Sequence, residues 1–345
     1  MTIAARPERF WLSVLVPMFK VEAYLDQCLA SIIGQADAGV EIVICDDCSP
    51  DAGLAIAQRY VDRYPGQVRI IRHAQNRGIS VTRNSLLDAA QGEYLWFVDS
   101  DDRMEAGAIA AIAEVVHRDA PDLIGCNYRK RGWRRSAFVG PCDRVLTDRD
   151  VIVGGICASR KMYVWVRIAR RELWDGGLRF PEGRIFEDAA IVPRLALMAL
   201  SYVHIDRPLI DYRVWSGSIL AGVKNSRELF DLPSHLDLAR ALEGFVETLE
   251  SETEPFERTR FAVSHFIAME FVKTASRIMR AGSSTRSTGS PELLAEFRGM
   301  MEQSSPIPFA DLALRYLRSG RLVAWLQLRR AMALSHQHDP ARGSS

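Results

Sequence analysis

The chain has little of several features that define large protein classes. It carries only six cysteines in 345 residues, too few for a disulfide framework. No apolar run approaches the roughly 18 residues of a membrane span. Neither charge sign dominates, because 44 basic residues stand against 43 acidic ones. A net charge of +1 provides no field to hold a polyanion, so the composition argues against nucleic-acid binding.

The N-terminus also lacks the apolar core of a signal peptide, which predicts a cytoplasmic protein. Cys45 and Cys48 form a C-x-x-C, but no second pair stands at metal-ligand spacing, and we interpret the cysteines as reduced thiols. Hydrophobic residues at 48% and charged residues at 25% are ordinary for a soluble globular chain. The length predicts one large domain with an appendage, or two domains.

Short apolar runs alternate with helical patterns through the first part of the chain. This alternation is typical of a parallel sheet covered by helices, and continuous apolar strands indicate a sheet buried on both faces. Ligands of such sheets bind at the carboxyl ends of the strands. The predicted elements are strand Ser13–Phe19, helix Tyr24–Ile33, strand Glu41–Cys45, helix Leu54–Tyr64, strand Val68–Arg72, helix Val81–Ala90, strand Tyr94–Val98, helix Ala106–His117 and strand Asp122–Cys126.

The rest of the chain predicts a mixed region followed by helices. A long amphipathic helix and a Gly/Ser-rich linker belong to the helical part. The predicted elements are a helix over Arg170–Trp174, a helix over Ala189–Ala199, short strands near Tyr202–Ile205 and Leu209–Val214, the long helix within Pro255–Ala281 and the linker at Gly282–Pro291.

Acidic residues follow two of the predicted strands. Asp46 and Asp47 follow the second strand, and Asp99, Asp101 and Asp102 follow the fourth. Carboxylates this close repel each other unless a cation or solvent neutralises them. Mg²⁺ and Mn²⁺ suit such a group, because they bind few carboxylates and complete their shell with water and phosphate oxygens. The pattern predicts a divalent-metal site, although a D-x-D alone is also common on solvated turns.

Two nucleotide-binding signatures are missing from the sequence. No G-x-G-x-x-G follows the first strand, which argues against a dinucleotide-binding Rossmann domain. No G-x-x-x-x-G-K-[ST] occurs, which argues against a P-loop NTPase.

A series of motifs resembles glycosyltransferase family 2. The motifs VPMF, DDCSPD, NRGISVTRN, FVDSDD, FPEGRIFED and YRVWSGSI occur in the family's order and spacing over about residues 12–220. The resemblance implies the α/β GT-A fold, a Rossmann-like, mostly parallel sheet covered by helices, here with a helical C-terminal extension. The predicted regions are a GT-A domain at 1–222 with a nucleotide-sugar half (10–126) and an acceptor half (127–222), a helical extension at 223–281, a flexible linker at 282–291 and a helical tail at 292–336.

The resemblance implies a donor-nucleotide site. Asp47, with Asp46 beside it, would hold the base, since a carboxylate can accept the N3–H of uracil. The main chain at Pro17 would line the same pocket. Arg83 matches the arginine that approaches the donor diphosphate, for which a guanidinium fork is suited. The family usually has glycine at the position of Cys48.

The other carboxylates divide into a metal set and a catalytic base. Asp101 matches the central metal-binding aspartate, and Asp99 and Asp102 would complete a site for Mn²⁺ or Mg²⁺, with Asp99 also on the donor side. Asp188 matches the catalytic base and follows the acidic Glu187. The alternative for this pair is that acids at a helix start are favoured by the helix dipole.

Glu187, Trp165 and Arg213 stand where the family has acceptor-side or lid residues. A tryptophan such as Trp165 is more often a core residue than a platform for a sugar. The acceptor side of the predicted site is therefore its least specific part.

The resemblance implies inverting, metal-dependent, non-processive transfer from a nucleotide-sugar, with a UDP-sugar favoured, to a hydroxyl of a glycan or lipid-linked acceptor. One alternative is a sugar-1-phosphate nucleotidyltransferase, which would normally have a Gly-rich loop after the first strand. Another is an inactive carbohydrate-binding or scaffold protein, which would have lost the metal or base carboxylates. Processive synthases generally carry Q-x-x-R-W and membrane spans, and the sequence has neither.

The tail at residues 312–334 combines leucines at helical spacing with arginines and Trp325. One interpretation is an amphipathic helix lying on an anionic inner membrane, near a lipid-linked acceptor. The other is a helix packed on the body or on another subunit. Gly320 favours two shorter helices over one long one.

Overall fold

A computed structural model describes residues 10–184, 186–215, 232–252, 255–282 and 291–336. The chain forms two compact units: Met1–Ile152 with Lys161–Val214, and Val153–Arg160 with Trp215–Ser345. The predicted domain bounds stay predictions. The linker predicted at 282–291 lies almost wholly outside the described residues.

The first unit is built on one mixed sheet. Its strands in the described chain are β1 (Leu12–Met18), β2 (Val40–Asp46), β3 (Val68–Arg72), β4 (Tyr94–Phe97), β5 (Arg103–Met104), β6 (Leu123–Lys130), β7 (Trp133–Arg135), β8 (Val145–Leu146), β9 (Arg167–Arg170) and β10 (Tyr202–Tyr212). The spatial order is β3-β2-β1-β4-β9-β6-β10-β5, with β7 beside β6 and β8 beside β10. Strands β1 to β4 run parallel, as do β6 and β10. The sheet is therefore mostly parallel, as predicted.

Helices follow the strands in the order that the sequence predicts. They are α1 (Glu22–Ile33), α2 (Gly53–Arg63), α3 (Ile79–Ala89), α4 (Ala108–Asp119), α5 (Arg149–Ser159), the 3₁₀ helix Val164–Val166, α6 (Glu172–Asp175) and α7 (Glu187–Met198). All residues of β1 and β2 are buried, as expected for continuous apolar strands covered on both faces. This packing fixes the strand ends from which the site loops leave.

The helix predicted over Arg170–Trp174 is wrong at its start. Arg167–Arg170 form β9, which pairs antiparallel with both β4 and β6, and α6 begins at Glu172. Arg167 is 1% exposed, and its guanidinium donates to the carbonyl of Ala137. Non-local pairing in the sheet overrides the local pattern here.

The two short strands predicted near Tyr202–Ile205 and Leu209–Val214 form one strand, β10. Its register against β6 shifts on either side of Pro208. Proline has no N–H to donate to the ladder, so a bulge accommodates it within a continuing strand. The gap predicted between two strands therefore corresponds to an irregularity of pairing within one strand.

The second unit is helical in its described part. Its helices are α8 (Leu232–Ser251), α9 (Glu257–Gly282), α10 (Pro291–Gln303), α11 (Phe309–Arg318) and α12 (Leu322–His336). The division of the tail at Gly320 is confirmed. Within the described ranges, no helix combines the length and apolar character needed to cross a bilayer.

Candidate functional site

The ends of β1 and β2 bring the predicted donor-side residues next to each other. Pro17 lies opposite Cys45 in the strand register, and Met18 lies opposite Asp46. The backbone N–H of Asp47 donates to the Met18 carbonyl at 3.0 Å. Parallel pairing therefore places the main chain at Pro17 beside the Asp46-Asp47 pair.

Asp47 is a nearly buried carboxylate that accepts three hydrogen bonds. Its Oδ1 accepts from His73 Nδ1 at 2.7 Å and from the Arg77 backbone N–H at 2.8 Å. Its Oδ2 accepts from the Gly78 backbone N–H at 2.8 Å. These bonds hold the loop before α3 against the end of β2. His73 contributes to the site although sequence reasoning missed it, since its partner lies 26 residues away.

Asp46 is fully buried beside Asp47. Its Oδ1 accepts the Ser49 backbone N–H at 2.8 Å, while its Oδ2 has no hydrogen-bond partner and lies 3.4 Å from Arg72 Nε. The Asp46 carboxylate thus fixes the turn after β2. Its predicted role on the donor side stays a prediction.

Cys48 adopts the left-handed conformation, with φ at 58°. Glycine reaches this region without steric cost, whereas a side chain with a Cβ does so at a cost. The turn after β2 therefore has the left-handed conformation that favours glycine, although the residue at this position is a cysteine. All six cysteines are free thiols, as predicted.

Arg83 is the centre of a cluster of carboxylates that the sequence does not reveal. Its Nη1 donates to Glu187 at 2.6 Å and to Asp188 at 2.8 Å, and its Nη2 donates to Asp99 at 3.1 Å. Three predicted site residues thus meet on one guanidinium. Arg83 was predicted beside the donor diphosphate; in the structure its described partners are carboxylates.

Two aromatic rings enclose the Arg83 guanidinium. Its central carbon lies 5.4 Å from the Phe180 ring centroid and 5.9 Å from that of Phe97. Arg83 is 3% exposed, and its Nε is buried without a hydrogen-bond partner. Cation–π contacts and ion pairs together hold this charge away from water. Phe180 was not among the predicted site residues.

Asp188 opens α7 with its carboxylate held from two sides. Oδ1 accepts from Arg83, and Oδ2 accepts the Val164 backbone N–H at 3.2 Å. Burial raises the pKa of Asp188 to about 7, Arg83 opposes that rise, and the negative charges of Glu187 and Asp99 add to it. The group therefore changes its protonation state near neutral pH.

The loop after β4 gathers the three predicted metal ligands, but they are not equivalent. The Asp99 side chain is 25% exposed and the Asp101 residue is half-buried, whereas Asp102 is 1% exposed. Asp102 Oδ1 accepts the Arg213 backbone N–H at 2.8 Å, and Oδ2 is buried without a hydrogen-bond partner. Burial, then the charges of Asp99 and Asp101, raise the pKa of Asp102. Asp102 ties the end of β10 to this loop.

A divalent cation fits this region by its charge and chemistry. Among the described residues, no three His, Cys, Asp or Glu side chains form a ready metal cluster. Mg²⁺ and Mn²⁺ need only one or two carboxylates when phosphate and water complete their shell. Asp99 and Asp101 offer that number. The carboxylates of Asp99, Glu187 and Asp188 share the single guanidinium of Arg83. Arg213 donates its backbone N–H to the Asp102 carboxylate and its Nε to the Asp101 backbone carbonyl.

Arg213, predicted on the acceptor side, contacts the loop after β4 in the structure. Its Nε donates to the Asp101 carbonyl and its Nη2 to Gln27, both at 2.9 Å. Its guanidinium carbon lies 4.6 Å from the Tyr24 ring centroid. Arg213 therefore braces the carboxylate loop in the structure.

Trp165, predicted on the acceptor side with core packing as the alternative, is packed among aromatic rings. It is 4% exposed and stacks on Tyr163 and Tyr212 at 5.0 and 5.5 Å between ring centroids. It meets the edge of Tyr128 at 5.0 Å. An indole this enclosed by other rings does not offer a platform to a sugar.

The described structure combines a mostly parallel α/β sheet with an acidic loop after β4 and a half-buried acid pair that opens α7. It resembles the structure of S. aureus TarS in complex with UDP-GlcNAc, with a TM-score of 0.71 and 20% identity over 93% of this chain and 91% of that chain. A likeness at this identity shows the fold, which is the predicted GT-A fold.

Sequence comparison identifies a family domain in the chain. The model described as Glycosyl transferase family 2 matches residues 13–141. The glycosyltransferase EpsJ of Bacillus subtilis is 33% identical over 185 residues, which cover 51% of this chain and 53% of EpsJ. Residues 13–141 therefore carry the family 2 domain that the motifs predict. The chain spans about half the length of EpsJ.

Proposed function

We propose that this protein transfers a sugar from a nucleotide-sugar to an acceptor hydroxyl, with inversion at the anomeric carbon. The observation that carries the proposal is Asp188, a half-buried carboxylate whose pKa is raised by desolvation to about 7. A general base is most effective when its pKa is close to the working pH. Asp188 accepts the hydroxyl proton as the hydroxyl oxygen bonds to the anomeric carbon. The bond from that carbon to the diphosphate breaks, and its electron pair leaves with the nucleoside diphosphate.

Arg83 has two tasks in this scheme. It holds Asp188 and lowers its pKa against the effect of burial. In the predicted donor role, it also offsets negative charge that develops on the leaving diphosphate. Because its donors are engaged by Asp99, Glu187 and Asp188, a phosphate oxygen would replace one of these contacts.

The donor is proposed to be a UDP-sugar read at Asp47. Oδ1 of Asp47 receives two N–H donors but Oδ2 receives one, which leaves an acceptor position on Oδ2 for the N3–H of uracil. Asp46 and the main chain at Pro17 adjoin this position. The TarS complex contains UDP-GlcNAc, which supports the proposal.

The nucleotide does not follow from the fold alone. A mannosyltransferase of Pyrobaculum calidifontis, solved in complex with GDP-Man and Mn²⁺, has a TM-score of 0.56 and 16% identity over 95% of this chain and 88% of that chain. UDP is therefore proposed from the Asp47 geometry together with the motif resemblance.

The cofactor is proposed to be Mn²⁺ or Mg²⁺, held by Asp101 and Asp99, with Asp102 supporting the loop. When bound, the ion supplies positive charge that offsets the charge of the donor diphosphate. The excess of carboxylates over guanidinium groups supports this assignment. So does the Mn²⁺ named with the mannosyltransferase.

The acceptor is proposed to be a hydroxyl of a glycan or of a lipid-linked saccharide, with one sugar added per event. This part rests on the motif resemblance. We also propose a cytoplasmic location, with peripheral contact to the inner face of the membrane.

A panel of nucleotide-sugars, assayed for release of nucleoside diphosphate, tests the proposal. We expect one donor to be cleaved, more slowly without acceptor, and cleavage to stop when a chelator is added. Asp101→Asn should lower divalent-dependent nucleotide binding, whereas Asp62→Asn on an exposed part of α2 should not. Release of pyrophosphate from a sugar-1-phosphate and a nucleoside triphosphate would instead identify a nucleotidyltransferase. Full turnover in excess chelator would remove the metal from the account.

A further inference from the structure

The last two described helices form a hairpin with one packed face. Helices α11 and α12 pack on each other and on α9. The Tyr316 hydroxyl lies 2.7 Å from His265 Nδ1, and the Arg321 guanidinium carbon lies 5.0 Å from the Phe261 ring centroid. The buried hydrophobic side chains of the hairpin are Phe309, Leu312, Ala313, Tyr316, Leu328 and Ala331. These contacts fix the hairpin within the helical unit.

The turn between the two helices is a defined Schellman motif. The Arg321 N–H donates to the Tyr316 carbonyl at 2.9 Å and the Gly320 N–H to the Leu317 carbonyl at 3.2 Å. Gly320 has φ at 69°, the left-handed value that this motif requires. The turn is therefore an ordered element that holds its neighbours in place.

The side of this hairpin that faces solvent is strongly apolar. Five aliphatic side chains around the turn, which we call the hairpin tip, are each about half exposed or more: Leu314 (51%), Leu317 (45%), Leu322 (53%), Val323 (69%) and Leu326 (58%). Together they expose an apolar area on the order of a few hundred Å², at the upper end of what monomeric proteins leave in water. An exposed apolar surface of this size is typical of an interaction site.

The charge around the hairpin tip has one sign. Arginines stand at 315, 318, 321, 329 and 330, and no Asp or Glu occurs from Leu312 to His338. Acidic groups lie towards the other end of α11, where Asp311 is in its first turn and Glu257 is 3.9 Å from Arg315. Both members of the Glu257–Arg315 pair are exposed, so the pair is weak. Apolar side chains flanked by arginines complement a partner with an apolar interior and anionic groups at its boundary with water.

We infer that the hairpin tip docks on the surface of an anionic phospholipid bilayer. The aliphatic side chains of the tip enter the boundary between headgroups and acyl chains, and the flanking arginines contact lipid phosphates. Trp325 is half-buried with Arg329 over its ring at 5.6 Å, so the tip leucines and valine, more than the tryptophan, make the apolar contact. This inference stands apart from the proposed transfer reaction, because it uses no residue of the candidate site.

Co-sedimentation of the full chain with vesicles tests the inference. We expect binding to vesicles that contain phosphatidylglycerol and little binding to pure phosphatidylcholine. The combined variant Leu322→Asn, Val323→Asn, Leu326→Asn should lower binding by about tenfold or more, because it removes the apolar contact. Arg318→Gln with Arg330→Gln should lower binding by about tenfold and weaken its salt dependence, without changing the apolar tip. Leu200→Asn, which alters a leucine 68% exposed in the first unit, is the matched control and should bind as the wild type does.

Three outcomes would overturn the inference. The first is wild-type protein that stays in the supernatant with phosphatidylglycerol vesicles. The second is binding that the apolar and arginine variants both retain. The third is self-association of the wild-type chain in solution that the apolar variant abolishes, without vesicle binding, which would assign the hairpin tip to a second copy.

Discussion

Asp47 and Asp188 are both aspartates shielded from solvent in the same unit, yet their surroundings differ in kind. Asp47 accepts from His73 and from two backbone N–H groups, which are fixed donors at the end of a strand. Asp188 shares one guanidinium with two other carboxylates, and burial raises its pKa to about 7. A carboxylate that accepts several fixed hydrogen bonds is suited to holding a ligand. A carboxylate whose negative charge is offset only by a guanidinium shared with other carboxylates is suited to taking up a proton.

The largest effect on the reaction is expected from a substitution at Asp188. Asp188→Asn should lower the transfer rate by about 10²–10⁴-fold, because the general base is lost while the shape is kept. Donor affinity, measured by titration calorimetry with the nucleoside diphosphate, should change little. A collapse of donor affinity with little loss of turnover would place Asp188 in the donor site.

Asp47→Asn tests whether the Asp47 carboxylate contributes to nucleotide binding. An amide offers one acceptor oxygen where the carboxylate offers two, so one of the three donors loses its partner at a cost of about 1–3 kcal/mol. We expect nucleotide affinity to fall by about tenfold or more, with a smaller change in turnover at saturating donor. Asp51→Asn on the following turn is the control. Unchanged nucleotide binding in Asp47→Asn would separate this loop from the donor.

Arg83→Gln sharpens the contrast, because Arg83 lowers the pKa of Asp188. Without its charge, the pKa of Asp188 should rise further, and the rising limb of the pH–rate profile should move up by about 1–3 pH units. Arg59→Gln, which removes an exposed arginine paired with Asp26, should leave the profile in place. An unshifted pH–rate profile in Arg83→Gln would show that Arg83 does not lower the pKa of Asp188.

The smallest effect concerns the turn beside Asp47. Cys48→Gly relieves the left-handed strain of a residue with a Cβ but adds freedom to the unfolded chain. We expect a gain in the free energy of unfolding of about 0–1 kcal/mol. The control is Cys142→Gly, since Cys142 does not have a positive φ. Denaturant unfolding of both variants would check this, and a loss above that range at position 48 would contradict it.

The sequence predicted the strands whose residues are mostly apolar. Strands β1, β2 and β4 were found because burial on both faces leaves a continuous signal, and β3 was found although most of its residues are only half-buried. Strand β9 was missed because Arg167 and Arg170 bracket its short apolar segment. Its place between β4 and β6 follows from the folded sheet and not from a local pattern.

The candidate site divides in the same way. The motifs identified Asp99 and Asp188 individually, but they did not predict the contacts that join these residues through Arg83. Arg83 meets its carboxylates across 16, 104 and 105 residues of chain, and only the folded sheet brings them together. The enclosure of Trp165 among tyrosines likewise depends on packing, which its residue type alone leaves open.

Asp188 is proposed to act as the base, with a pKa that burial raises to about 7. The most direct test is the pH dependence of the transfer rate at saturating donor and acceptor. Asp188 must be ionised to accept a proton, so the rate should be low at acidic pH and rise through a single ionisation near pH 7 to a plateau. A rate that is flat through this range, or that falls as the pH rises through 7, would contradict the account.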